Sequence, residues 1–253
     1  MDGLADKVVL IAGGATGLGA DSAQRLAREG ATVVVGDLDG DGAKRTAAAI
    51  VDAGGRAVGA QFDISDDDSV RELVAFAVDT YGGMDAVHVN AGDMGSLRKD
   101  TNVVDIDLAT WDRTIAVNLR GHMLVSRHSI PALLARGGGS IVYTSSIASF
   151  TGEPQRPAYA ATKAGINALA RHVASGWGND GIRANAITPG LILTDEIRQG
   201  ADPKMLDGML RRTRSPRLGE ARDISGMVAY LMSDDGAWIN GQVVNVDGGT
   251  VLR

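Results

Sequence analysis

The 253-residue sequence contains no cysteine. Disulfides, thiol nucleophiles and thiolate-bound metals are thereby excluded, and the chain can fold in a reducing compartment. It also lacks any apolar run of 18 or more residues, so no membrane-spanning helix is expected. Basic blocks are missing. With 25 Lys and Arg against 31 Asp and Glu the formal charge is −6, which argues against a nucleic-acid surface or a polybasic membrane patch. The opening Met1-Asp2-Gly3-Leu4-Ala5-Asp6-Lys7 puts acids ahead of a short apolar run and does not read as a signal peptide; the expectation is a cytoplasmic protein. No Pro/Ser-rich linker, low-complexity run or internal repeat divides the chain. His88, His122, His128 and His172 share no metal-ligand spacing, and no metal is expected.

What is present is a regular alternation. Hydrophobic residues make up 44% of the chain, enough for a sizeable core. Val8 to Ala12 is continuously apolar, as a strand covered on both faces should be, and Thr32 to Asp37 reads as a second buried strand. Between them lie a glycine-rich turn and a segment of helical periodicity from Asp21 to Glu29. The pattern repeats with helices near 42–53, 66–81, 108–135, 159–177 and 221–232, and strands near 57–62, 86–92, 141–145, 182–187 and 242–246. Seven strands and six helices predict one Rossmann-like, doubly wound parallel α/β sheet over residues 1–253, with helices on both faces. From 191 to 216 the pattern blurs, and this stretch reads as a substrate lid with Leu193, Met205, Met209 and Leu210 facing an apolar substrate.

Ligands in such sheets bind beyond the carboxyl ends of the strands, and the notable residues sit there. Gly13, Gly17 and Gly19, with Thr16 and Leu18 between them, form a G-x-x-x-G-x-G turn into the first helix. Such glycines let backbone N–H groups approach a pyrophosphate, although the same turn is also an ordinary helix entry. No G-K-[ST] comes after it, so a triphosphate loop is not expected. Asp37, next to Leu38, ends the second strand 18 residues beyond Gly19 and can accept both hydroxyls of an adenosine ribose. No Arg or Lys within 14–16 or beside Asp37 offsets its charge, which favours NAD over NADP. Asp63, next to Ile64, is placed to accept from an adenine amino group. Asn90-Ala91-Gly92 lets backbone pass close to a cofactor.

Tyr159-Ala160-Ala161-Thr162-Lys163 puts a phenol and an ammonium four apart on one helix face. A phenol has an ordinary pKa near 10, and an adjacent cation lowers it towards the working range. Alone, the pair is most often a packed ring and a solvated stem. Upstream, however, a strand ends in the hydroxyls of Thr144, Ser145 and Ser146.

These motifs, in this order, closely resemble the short-chain dehydrogenase/reductase family from Lys7 to Gly249. Ala12-Gly13-x-x-x-Gly17-x-Gly19 is similar to its T-G-x-x-x-G-x-G, Asn90-Ala91-Gly92 to its N-N-A-G, and Tyr159-x-x-x-Lys163 and Pro189-Gly190 complete the pattern. The resemblance implies that Tyr159 is the general acid–base. Lys163 would hold the nicotinamide ribose and lower the Tyr159 pKa. Ser146, thirteen residues before Tyr159, would bind the substrate oxygen; Ser145 is its rival, and spacing favours Ser146. Asn118 would hold a water in a proton relay, and Pro189 to Thr194 would meet the carboxamide through the Ile192 backbone and the Thr194 hydroxyl. Two positions depart from the pattern: Ala12 replaces the usual Thr, and Val89 stands where the first Asn of N-N-A-G often sits. The expected activity is NAD-dependent interconversion of a secondary alcohol and a ketone, on a bulky apolar or cyclic small molecule. The resemblance also implies a homotetramer. The alternative is a non-catalytic NAD-binding sensor, which would be expected to lack one of Asn118, Ser146, Tyr159 and Lys163.

Overall fold

The computed structural model describes residues 1–194, 197–198 and 201–252. The strands in chain order are β1 (Val8–Ala12), β2 (Thr32–Asp37), β3 (Arg56–Gln61), β4 (Ala86–Val89), β5 (Gly139–Thr144), β6 (Ile182–Pro189), β7 (Ile192–Leu193), β8 (Gly219–Glu220) and β9 (Val243–Val246). Seven of them form one sheet in the order β3-β2-β1-β4-β5-β6-β9, every adjacent pair parallel. The two-residue strands β7 and β8 pair only with each other. The strand order reverses between β1 and β4, which opens a crevice at their carboxyl ends.

Helices cover both faces because alternate side chains of each strand point to opposite sides. Val8, Leu10 and Ala12 join the core formed with α3 (Asp67–Tyr81), α5 (Gly121–Ala135) and α6 (Pro157–Trp177). Val9 and Ile11 join the opposite core, with α1 (Gly17–Arg28), α2 (Gly40–Asp52) and the helix Ala221–Met232. The Rossmann-like doubly wound fold expected from the alternation is the fold observed.

Three details differ from the expectation. The first helix begins at Gly17, four residues before Asp21, because the glycine turn itself is helical from its second glycine onward. The helix expected over 108–135 is α4 (Leu108–Ile115) and α5 joined by one π turn, Ala116–Arg120. In the blurred stretch lie β7, whose partner β8 follows just beyond it, and a helix, α7 (Pro203–Arg212), with Ala221–Met232 therefore α8. The strands are too short to show alternation, and α7 is a surface helix with no buried residue. Of the expected lid, residues 195, 196, 199 and 200 lie outside the described residues.

Candidate active site

At the carboxyl end of β5 the backbone is still extended through Ser146, whose hydroxyl accepts a hydrogen bond from the Ala148 amide at 3.1 Å. The same hydroxyl faces the Tyr159 phenol on α6 and lowers its pKa. One residue earlier, on the other side of the strand, Ser145 donates to the Lys163 carbonyl at 2.9 Å and is buried. Adjacent residues of an extended chain face opposite ways, so one serine is tied into α6 and the other is turned to the phenol. Lys163 is only 4% exposed. Its ammonium donates to the Thr144 carbonyl at 2.8 Å and lies 5.5 Å from the centre of the Tyr159 ring.

The charges balance differently from the expectation. Burial pushes the Tyr159 phenol above its ordinary value; the Ser146 hydroxyl and the Arg156 charge pull it down, and Glu153 pushes it up. The expected lowering by Lys163 is therefore not what the protein alone shows. The ammonium sits against the ring and is committed to a carbonyl, while desolvation dominates at the oxygen. Burial also lowers Lys163 itself, to about 8.

Asn118 lies in the π turn, fully buried, in a turn that packs against α6. Its Oδ1 accepts from the Asp93 amide at 2.7 Å, while its Nδ2 has no partner among the described residues. π turns recur at functional sites because they re-aim one residue of a helix. A buried, unpartnered amide donor there is the kind of group that a bound water satisfies.

The nucleotide end fits a dinucleotide on the structure's own terms. Thr16 precedes α1 without capping it, so the first-turn N–H groups are left open. Gly17 has φ +56°, and a Cβ added there would meet only the Thr194 methyl, 3.9 Å away across open space. Gly13, at φ +94°, is pressed on the Ala91 backbone, and a Cβ at Gly19 would collide with the Gly13 carbonyl and Asn90 Nδ2. Leu18 packs half-buried beside the turn. Asp37 Oδ2 accepts from the Ala15 amide at 2.9 Å, tying the turn to the end of β2, and its Oδ1 accepts from Asp39. A carboxylate has about four acceptor positions, so both ribose hydroxyls can still be accommodated. Asp63 accepts from the Ser65 amide and hydroxyl at 2.8 and 2.6 Å; burial raises its pKa, and these bonds outweigh that and hold the carboxyl below its ordinary range. The Ile64 side chain is buried and, with the Ile64 carbonyl, packs against Gly121; Leu38 is exposed. Gly92 approaches Asn118 Oδ1, and Pro189 and Gly190 end β6 with Gly190 against the Asp247 backbone. Ile192 lies in β7, with Thr194 just beyond the strand.

Two supports were invisible in the pattern. Asp100, 3% exposed, accepts from the Ala158 and Tyr159 amides at 3.3 and 2.8 Å and so caps the helix that carries the phenol. The carbonyls of Asp100 and Thr101 take the Arg156 amide, and Arg156 has a left-handed φ of +68°. Nothing in the sequence linked an acid to a tyrosine 59 residues away. The second concerns the two departures. Ala12 and Val89 are direct partners across β1 and β4, both in the apolar core. Replacing two facing polar groups by two apolar ones leaves neither unpaired, which is nearly neutral for stability.

Among the described residues no three His, Asp or Glu side chains gather to hold a metal. His128 pairs with Asp67 at 2.7 Å, and His172 meets the edge of Trp177.

Fold and site together define a Rossmann-like protein with a serine, phenol and lysine gathered at the rim of the sheet. A family model described as enoyl-(acyl carrier protein) reductase matches residues 13–251. A probable short-chain type dehydrogenase/reductase of Bradyrhizobium diazoefficiens is 40% identical over 98% of this chain and 88% of its own. The 7alpha-hydroxysteroid dehydrogenase of Bacteroides fragilis is 33% identical over 100% and 97%. A solved 7alpha-hydroxysteroid dehydrogenase, complexed with NADH and 7-oxo glycochenodeoxycholic acid, superposes with a TM-score of 0.92 at 31% identity, covering 99% of this chain and 96% of that one. The chain belongs to the short-chain dehydrogenase/reductase family and is an oxidoreductase acting on CH–OH groups.

Proposed function

We propose that the protein interconverts a secondary alcohol and a ketone with NAD(H), on a bulky apolar or cyclic substrate. The observation that carries this reading is the Lys163 ammonium held 5.5 Å from the centre of the Tyr159 ring, with the Ser146 hydroxyl facing the phenol and lowering its pKa. The bound dinucleotide supplies the carbon that gives or takes hydride. Ser146 holds the substrate oxygen next to the phenol. Tyr159 passes the proton to that oxygen in ketone reduction and takes it in alcohol oxidation, a contribution of roughly 10²–10⁴-fold. Lys163 holds the ribose, and the free Asn118 amide supports a water that continues the proton path. Asp37 supports NAD over NADP, because a carboxylate at the end of β2 repels a 2′-phosphate. The steroid substrate of the relative supports a ring, and the half-buried Leu206, Met209 and Leu210 of α7 supply an apolar wall. One domain serves cofactor and substrate in this reading, and the protein works as a cytoplasmic homotetramer. A non-catalytic NAD sensor is disfavoured, since all four of Asn118, Ser146, Tyr159 and Lys163 are present.

The test is a panel of cyclic secondary alcohols, from cyclohexanol to hydroxysteroids, offered with NAD or NADP. Growth of reduced-cofactor absorbance with NAD is expected; NAD binding without turnover on any alcohol or ketone would favour the sensor instead.

A further inference from the structure

Buried in the middle of β4 is a histidine that the proton chemistry does not use. His88 is fully buried, with Nε2 2.8 Å from the Thr144 hydroxyl. That hydroxyl donates to Asn90 Oδ1 at 3.0 Å, and Asn90 Nδ2 donates to the Gly13 carbonyl at 2.8 Å. The chain can run in one direction only. A carbonyl only accepts, so the Asn90 amide must turn its NH2 to Gly13 and its oxygen to Thr144. The single Thr144 proton is then committed to Asn90, and His88 must donate from Nε2. Burial lowers the His88 pKa to about 3, so the ring is neutral and carries one proton. Its Nδ1 has no partner among the described residues, as a bare ring nitrogen should.

We propose that His88 is a positioning residue for the dinucleotide turn: as the Nε2–H tautomer it orients the Thr144 hydroxyl and, through it, the Asn90 amide that holds Gly13. The inference rests on the dinucleotide reading of that turn. Asn90 Nδ2 and the Gly13 carbonyl are the two groups that a side chain at Gly19 would strike, so this link sets the spacing of both glycines. The backbone carbonyl of Thr144, the residue in the middle of the chain, takes the Lys163 ammonium, so one residue registers turn and lysine together. The chain also stands beside the two departures. Ala12 and Val89 have no polar side chain with which to brace the turn, and His88 is the neighbour of Val89 on β4. A buried donor on the adjacent residue gives the turn a brace from the next strand over, β5.

The first test is the ring's own ¹⁵N spectrum in the unliganded protein. An Nε2–H tautomer is expected for His88, and an Nδ1–H ring overturns the proposal. The second is NADH affinity by fluorescence titration. Losing one buried hydrogen bond from the chain should raise the Kd about tenfold in His88→Val. Gln places a donor near the Nε2 position, so His88→Gln should recover to within about threefold of wild type. Thr144→Val should match His88→Val, and the double variant should lose no more than either single one, since both cut one chain. Wild-type affinity in His88→Val, equal weakening in His88→Gln, or additive losses overturn the proposal. A wild-type protein that binds no NADH removes the cofactor reading instead, and the tautomer then decides this one.

Discussion

At the scale of single residues the site separates tasks that lie side by side in the chain. Ser145 and Ser146 differ only in which way an extended strand points them, yet one anchors α6 and the other faces the phenol. Ser146→Ala is therefore expected to lower kcat at least about 10²-fold with little change in melting temperature. Ser145→Ala removes a buried hydrogen bond, and the expected result is a stability loss of about 1 kcal/mol with the larger part of turnover retained. A denaturant titration alongside steady-state kinetics distinguishes them; reversed phenotypes would exchange their roles. Tyr159→Phe keeps the ring and loses the proton, so NADH binding should persist while turnover falls by roughly 10²–10⁴-fold. Because burial raises the phenol, Tyr159 is protonated at neutral pH. That is the form a ketone reduction needs, while alcohol oxidation needs the deprotonated form. Oxidation should therefore rise with pH into the alkaline range, and a pH profile of kcat/KM that is flat above neutrality would contradict this.

At the scale of elements, α6 carries the phenol and the lysine of the proposed chemistry, and its amino end is held by a segment outside the helix. A helix leaves its first N–H groups unpaired, and Asp100 supplies acceptors for two of them, including that of Tyr159 itself. Capping side chains are worth about 0.5–2 kcal/mol, which is roughly 2–6 °C of melting temperature for a chain of this size. Asp100→Ala should show that loss together with a lower kcat, and Asp100→Asn, which keeps one acceptor oxygen, should fall between. Unchanged calorimetry and unchanged kcat in Asp100→Ala would show that the cap is dispensable. The π turn is the other element-level device. A regular helix over 108–135 places Asn118 by the 3.6-residue period alone. The extra residue in the turn rotates the helix beyond it and leaves Asn118 with one amide hydrogen pair unpartnered.

For the whole molecule, the same burial that shapes the site also sets its response to acid. His88 is lowered to about 3 by desolvation; His122 is also held well below its ordinary value, by burial first and the Lys163 charge next. Both are neutral in the fold, whereas in the unfolded chain each titrates near 6.5. Below that pH the unfolded state binds more protons, so stability is present above about 6.5 and is lost as pH falls towards 3. For His88 that amounts to about 2 kcal/mol of loss between pH 6.5 and 5, and His122 acts in the same direction. Denaturant unfolding at pH 7, 6 and 5 should show His122→Phe losing less stability than wild type as the pH falls. Parallel curves for the two proteins would show that His122 does not titrate on unfolding.

The amino-acid sequence by itself determined the strand and helix alternation, the glycine turn and the four-residue step from Tyr159 to Lys163. Each of these is a local pattern with a fixed period, readable without knowing what lies across the sheet. Only the tertiary structure decided the rest. The cap on α6 comes from 59 residues upstream, and the separate partners of Ser145 and Ser146 depend on which way the extended strand points them. The pairing of Ala12 with Val89 is a matter of register between β1 and β4. The sign of the Tyr159 shift turned on how much water the fold removes from the oxygen, against how near a cation comes to it. Desolvation and through-space distance have no period along the chain, and so they leave no mark in it.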